Sequence, residues 1–214
     1  MINLLGIVSG LAWLIAYVDG ARVGFRDKTY AIPMAALMLN FAWETTYSVH
    51  DLLTRISGQT VINVLWTAAD TLIIYTFFKY GRNELPKFIT KQLFILWTIV
   101  LITTAYTLQW MFVKQFSWAH GSEYSAFLQN LLMSGLFIAM LSARHGVRGQ
   151  TMLIAVAKWI GTLAPTLAIG LYGHSTFILG VGALCSIFDL IYIYLVWRAQ
   201  RNPSRPALTS TIAN

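Results

Sequence analysis

Leu93-Phe-Ile-Leu-Trp-Thr-Ile-Val-Leu-Ile-Thr-Thr-Ala-Tyr-Thr-Leu-Gln-Trp-Met-Phe-Val113 runs for 21 residues without a charged side chain. As a helix rising 1.5 Å per residue it is about 30 Å long, which matches the hydrocarbon core of a bilayer. Six more apolar runs accompany it: Leu4–Val18, Ala31–Trp43, Val61–Phe78, Ala126–Ala143, Met152–Leu171 and Phe177–Trp197. The first two reach spanning length only with their polar neighbours included. With no water in the bilayer core, each segment must satisfy its own backbone groups, which favours helices. No alternating pattern supports a barrel. The runs therefore predict an all-α membrane protein of seven transmembrane helices, near 2–18, 30–51, 60–79, 92–113, 124–143, 151–170 and 175–197, forming one domain over 1–200. The polar, Pro-rich stretch 201–214 reads as a flexible cytoplasmic tail.

Composition agrees with this fold class. The 214 residues are 57% hydrophobic and 11% charged, against about a quarter charged in soluble domains. The first run lacks a basic flank and a small-residue cleavage site, so it reads as a retained helix. Cys185 is a single cysteine inside an apolar run, which leaves no internal disulfide. A net charge of +7 could suggest nucleic acid, but its distribution points to a membrane surface and no nucleic acid partner. Arg22, Arg26, Lys28, Lys79, Arg82, Lys87, Lys91, Arg144, Arg148, Arg198, Arg201 and Arg205 fall in alternate connections or the tail. Arg55 and Lys114 fall in the others, and Lys158 lies in or beside the sixth segment. The positive-inside rule then predicts an outside N-terminus and a cytoplasmic C-terminus.

Two stretches resemble each other. Asp70-Thr-Leu-Ile-Ile-Tyr75 precedes Lys79, Arg82 and Asn83, and Asp189-Leu-Ile-Tyr-Ile-Tyr194 precedes Arg198, Arg201 and Asn202, with every match offset by 119. Ser9-Gly10-Leu11 and Ser134-Gly135-Leu136 repeat at an offset of 125. A 3+1+3 parallel pseudo-repeat around a central cavity would produce this pattern. Shared anchors at helix ends facing the same side would produce it as well.

Of the eight acidic residues, Asp19, Asp27, Asp51, Glu84 and Glu123 fall in predicted loops or at helix ends. Glu44, Asp70 and Asp189 fall inside apolar segments, where a carboxylate costs about 2.5–3.5 kcal/mol on insertion scales. Such groups face a cavity or a partner, and the bland alternative is an acid that only ties helices together, with Lys158 the one cation near enough to neutralise it. Counted from the segment ends, Glu44 lies about 21 Å from the cytoplasmic face, and Asp70 and Asp189 about 13 Å. Helix 2 reads Asn40-Phe-Ala-Trp43-Glu44-Thr-Thr-Tyr47, so an amide, an indole, a carboxyl and a phenol share one face. Trp66 lies one turn before Asp70, and Tyr194 five residues after Asp189. Burial favours the neutral form of a carboxyl, and a protonated acid beside aromatic faces suits chemistry in which carbocations form and are stabilised by ring quadrupoles.

The Asn-x-x-Trp-Glu motif at positions 40–44, with Asp189 in the last segment, resembles the integral-membrane terpene cyclases of meroterpenoid and indole-terpenoid biosynthesis. The resemblance implies a cyclase without metal or cofactor, in which Glu44 and Asp189 form the acid centre. Its substrate would be a hydrophobic prenylated small molecule, of farnesyl type, protonated at an epoxide or alkene. Placing Asp70 in the same site follows from its depth and from the echo with Asp189. Asn40, Trp43, Tyr47, Trp66 and Tyr194 are the expected substrate-binding residues. No Asp-Asp-x-x-Asp cluster is present to hold Mg²⁺ on a diphosphate. His50, His120, His145 and His174 are scattered and read as interfacial. The competing expectation is a small proton-coupled transporter of the sugar-carrier type, with Pro33 and Pro165 as hinges, although no Pro-Gln pair occurs. A retinal-type photoreceptor would need a lysine in Phe177–Trp197, and none is there.

Overall fold

The structure, a computed structural model, describes residues 1–201; the predicted tail beyond Arg201 lies outside the described residues. Six α-helices follow one another: α1 (Ile2–Asp27), α2 (Met34–Thr54), α3 (Gly58–Tyr80), α4 (Lys91–Ala143), α5 (Met152–Pro165) and α6 (Thr176–Arg201). A 3₁₀ turn, Gly81–Glu84, follows α3, and a π-helical turn, Thr166–Leu171, extends α5 beyond Pro165. Among the described residues α1, α3, α4, α5 with its π turn, and α6 are long and apolar enough to cross a membrane. Helix α2 has the length, but Asn40, Glu44 and Ser48 on its buried face lower its apolarity.

Seven segments were expected, and six α-helices are found among the described residues. The difference lies in α4, whose 53 residues absorb both 92–113 and 124–143. Ser117 inside it has φ 70° and ψ 175°, a backbone region used almost only by glycine. The chain folds back there. A Cβ on Gly121 would lie 2.9 Å from the Phe112 carbonyl oxygen, and Gln109 Nε2 donates to Gln129 Oε1 at 3.0 Å. In a straight helix those two glutamines would be about 30 Å apart. The reversal falls within the connection expected between 92–113 and 124–143, but it is made at Ser117 without the usual Gly or Pro and without a break in helical assignment.

Helix α1 also differs, running to Asp27 instead of ending near residue 18. Its polar second half is neutralised in place: Arg22 pairs with Asp19 at 2.6 Å one turn away, and Thr151 donates to the other Asp19 oxygen. Asp19 is therefore buried, not a loop acid. Glu84 is likewise held, by Arg144 at 3.0 Å, Arg148 at 3.1 Å and the Thr29 hydroxyl at 2.6 Å. Together these contacts fasten the connections at the basic end of the bundle.

Packing neighbours run α1–α3–α2–α4–α6–α5 and back to α1, a closed ring. Tyr17, Leu37, Ile73, Phe77, Phe137 and Tyr192 fill its core, whereas Leu96, Trp97, Ile99 and Val100 point outward. Asn40, Glu44, Asp70, Gln109, Lys158 and Asp189 are buried. An apolar exterior around polar interior groups is the arrangement the bilayer selects. Hydrogen bonds from Asn40 of α2 to Tyr17 of α1, and from Asn130 of α4 to Thr162 of α5, join helices that are not neighbours in the ring.

Candidate active site

Helix α2 presents the predicted face, and each of its residues has a distinct surrounding. Glu44 is 1% exposed, and its Oε2 has no hydrogen-bond partner. Asn40, one turn earlier, donates from Nδ2 to the Tyr17 hydroxyl at 2.7 Å and accepts from Gln129 Nε2 at 3.3 Å. Both ends of its amide are thus engaged by protein, which differs from the substrate contact expected of it. The Trp43 indole donates to the Ser122 carbonyl at 2.9 Å and lies 5.1 Å from the Tyr47 ring. Tyr47 is buried with its hydroxyl unpartnered, and Trp118 meets it edge-on at 6.0 Å.

Asp70 of α3 is fully buried, and neither of its carboxyl oxygens has a partner. It interacts with Glu44 as a like charge. Tyr17 of α1 closes this group. Its hydroxyl accepts from Asn40 Nδ2 at 2.7 Å, and its ring meets Trp66 edge-on at 6.3 Å. Trp66 donates its indole N–H to the Gly10 carbonyl at 3.1 Å, leaving its aromatic surface for packing.

Asp189 has a different partner. Its Oδ1 accepts from Lys158 Nζ at 2.7 Å, both side chains are 1% exposed, and Lys158 also donates to the Ser134 hydroxyl at 2.7 Å. Asp189 Oδ2 has no partner. Between this ion pair and the Glu44 group stands Trp13, its ring 5.4 Å from Tyr17 and 5.9 Å from Lys158 Nζ.

The chain matches the family of Pyr4-like transmembrane terpene cyclases over residues 1–202. It belongs to that family. Terpene cyclase andB of Emericella variicolor is 29% identical over 185 residues, covering 83% of this chain and 76% of that protein. Terpene cyclase pyr4 of Aspergillus fumigatus is 23% identical, covering 93% of this chain and 87% of its own length. Asnovolin H synthase nvfL of Aspergillus novofumigatus is 25% identical over 75% of this chain and 66% of its own. No solved structure matches. Family membership and the apolar helices together make this a multi-pass membrane protein of a terpene cyclase family.

The structure sets Glu44 near Asp70, and Asp189, expected to form the acid centre with Glu44, stands in an ion pair with Lys158. Tyr194 does not join them. It is 52% exposed and packs on Trp197 at 5.9 Å, because five residues carry it to the opposite flank of α6 from Asp189. The inward tyrosine is Tyr192, which donates to Gln150 at 2.7 Å. Sequence reasoning missed Trp13, Tyr17, Gln109 and Gln129. Trp13 and Tyr17 carried a signal, since they are spaced one turn apart in the first apolar run. Beside Glu44, on the neighbouring flank of α2, an apolar recess of about 480 Å³ is lined by Thr45, Val49, Leu53, Tyr106 and Trp118, among others.

Proposed function

We propose that this protein is an acid-initiated transmembrane terpene cyclase in which Glu44, backed by Asp70, protonates an epoxide or alkene of a farnesyl-type prenylated substrate. One observation carries the reading: two buried, interacting carboxyls, with no donor at Glu44 Oε2 or at either Asp70 oxygen. Two such negative charges side by side without compensation are prohibitively unfavourable in a low-dielectric interior, so the pair keeps at least one proton. Protonating an epoxide oxygen breaks a C–O bond and leaves a hydroxyl and a carbocation, which the alkenes of the chain then attack in turn. The Trp13, Tyr17 and Trp66 ring faces supply cation–π stabilisation along the way. Asp189 has its charge balanced by Lys158 and its Oδ2 free, which suits the closing step, removal of a proton from carbon. That division of labour gives the two acids implied by the family resemblance different roles. Trp43 and Tyr47 line the approach from the outer end.

In the same reading the two arms of α4 cross the bilayer separately, giving seven passes, an outside N-terminus and a cytoplasmic C-terminus. The twelve basic residues gathered in alternate connections and the tail support this orientation. The test is turnover by purified protein in detergent, with a farnesylated aromatic epoxide and no added metal. Wild type should yield a polycycle, and Glu44→Gln should lower kcat by at least about a hundredfold. An unchanged Glu44→Gln enzyme would sink the proposal.

A further inference from the structure

Helix α1 meets α5 at a glycine, and an indole lies on that glycine. A Cβ on Gly161 would stand 2.7 Å from Trp13 Cδ1, 2.9 Å from Nε1 and 3.2 Å from Cγ, so the five-membered ring of Trp13 rests against the α5 backbone. One turn earlier in α1, the Ser9 hydroxyl donates to the Gly161 carbonyl at 2.7 Å. The two contacts bracket one residue, and they fix both the height of α1 against α5 and the lie of the ring. Glycine weakens a helix interior, and close packing is the usual reason to find one there. Here the reason is Trp13, since a methyl group at 161 would force the indole or the helix to move. Gly10, next to Ser9, holds a second indole. Its carbonyl accepts the Trp66 N–H at 3.1 Å, and a Cβ on it would meet Ile62 Cδ1 at 2.8 Å.

Three rings are thereby set in a row, Trp66, Tyr17 and Trp13, with centroids 6.3 Å and then 5.4 Å apart. Trp13 ends the row beside the Lys158–Asp189 ion pair, 5.9 Å from Lys158 Nζ. Resting on the reading of this protein as an acid-initiated cyclase, we infer that Gly161 and Ser9 are positioning residues for Trp13, and that Trp13 so held decides which product forms. A carbocation in the site has two fates. It loses a proton from a neighbouring carbon and ends as an alkene, or the electron pair of the next alkene attacks it, closing a ring and moving the charge onward. An aromatic face attracts the cation through its quadrupole, and a ring fixed beforehand does so without reorganising as the charge arrives. A displaced Trp13 leaves the later cations uncovered, so proton loss comes sooner and products with fewer rings appear. One proton enters and one leaves on either route, so all these products are isomers of the substrate. The effect therefore shows in the product ratio and not only in the rate.

Product ratios and unfolding midpoints of Gly161→Ala, Ser9→Ala, Trp13→Ala and the double variant Gly161→Ala/Trp13→Ala test this, on purified protein in detergent with a farnesylated aromatic epoxide. Gly161→Ala should shift the ratio of partly to fully cyclised isomers by about tenfold, the scale on which one methylene acts in a pocket. Ser9→Ala should shift it the same way by less. With Trp13→Ala already present, Gly161→Ala should add no further shift. It should also raise the unfolding midpoint there while lowering it in wild type, because the added methyl meets only the indole and alanine is the better helix residue. A wild-type ratio in both Gly161→Ala and Ser9→Ala would overturn this role, as would a lower kcat at unchanged ratio. An equal shift from Gly161→Ala with and without Trp13 would show the glycine acting through something else, and would overturn it too. If Gly161→Ala does not fold, the Ser9→Ala ratio decides alone. Wild-type protein that forms no cyclic product would overturn the cyclase reading itself, whereas a cyclising enzyme whose ratio ignores both positioning variants overturns only the role given to Trp13.

Discussion

Asp70 and Asp189 sit in nearly the same sequence, each followed by aliphatic residues and a tyrosine five positions on, and their backbone settings match. Both are buried, and the tyrosines Tyr75 and Tyr194 are both about half exposed, facing outward. Their partners differ completely. Asp189 has Lys158 at 2.7 Å, an ammonium that also donates to the Ser134 hydroxyl, whereas Asp70 has no donor and meets another carboxyl. A local motif thus sets how deep an acid lies, and the facing helices set what it can do. The acid beside a lysine has its charge balanced by a cation, and the Glu44–Asp70 pair has none.

Exchanging these properties should produce the largest effects. Asp70→Asn removes the like charge behind Glu44 and should lower turnover by about ten- to a thousandfold without unfolding the protein; parallel kcat and melting measurements in detergent check this. A wild-type rate in Asp70→Asn would break the distinction between the two acids. Lys158→Met leaves Asp189 buried without its cation and should destabilise the fold by about 3–5 kcal/mol, read as a lower midpoint in chemical denaturation. Adding Asp189→Asn to Lys158→Met should recover most of that stability but not activity. Failure to recover would mean that Lys158 holds the bundle mainly through Ser134. The smallest effect belongs to the outward tyrosine: Tyr194→Leu should change stability by less than about 0.5 kcal/mol and leave turnover unchanged. A large loss of turnover would return Tyr194 to the site.

The membrane architecture was largely legible because length, apolarity and the placement of basic residues each report on a bilayer directly. The burial of Glu44, Asp70 and Asp189 was legible for the same reason, since a carboxyl among apolar residues must find an interior. The shared face of Asn40, Trp43, Glu44 and Tyr47 followed from helical periodicity. Pairing was not legible. Whether Glu44 meets Asp70 or Asp189 depends on the closed ring of helices, and no spacing within one segment encodes it. The reversal between 92–113 and 124–143 was expected, but its exact place was not legible because an ordinary residue, Ser117, adopts a glycine-like backbone there. Tyr17 escaped notice because a tyrosine in an apolar run reads as packing until Asn40 is seen bonded to its hydroxyl.

The protonation states themselves give the most direct test. Infrared spectra of the purified protein in detergent at neutral pH resolve the carbonyl stretch of a protonated, buried carboxyl, and variants assign it. The expected result is a band that disappears or shifts in Glu44→Gln or Asp70→Asn and is unaffected by Asp189→Asn. A band that survives both of the first two variants and vanishes with Asp189→Asn would contradict the assignment of the proton to the Glu44–Asp70 pair.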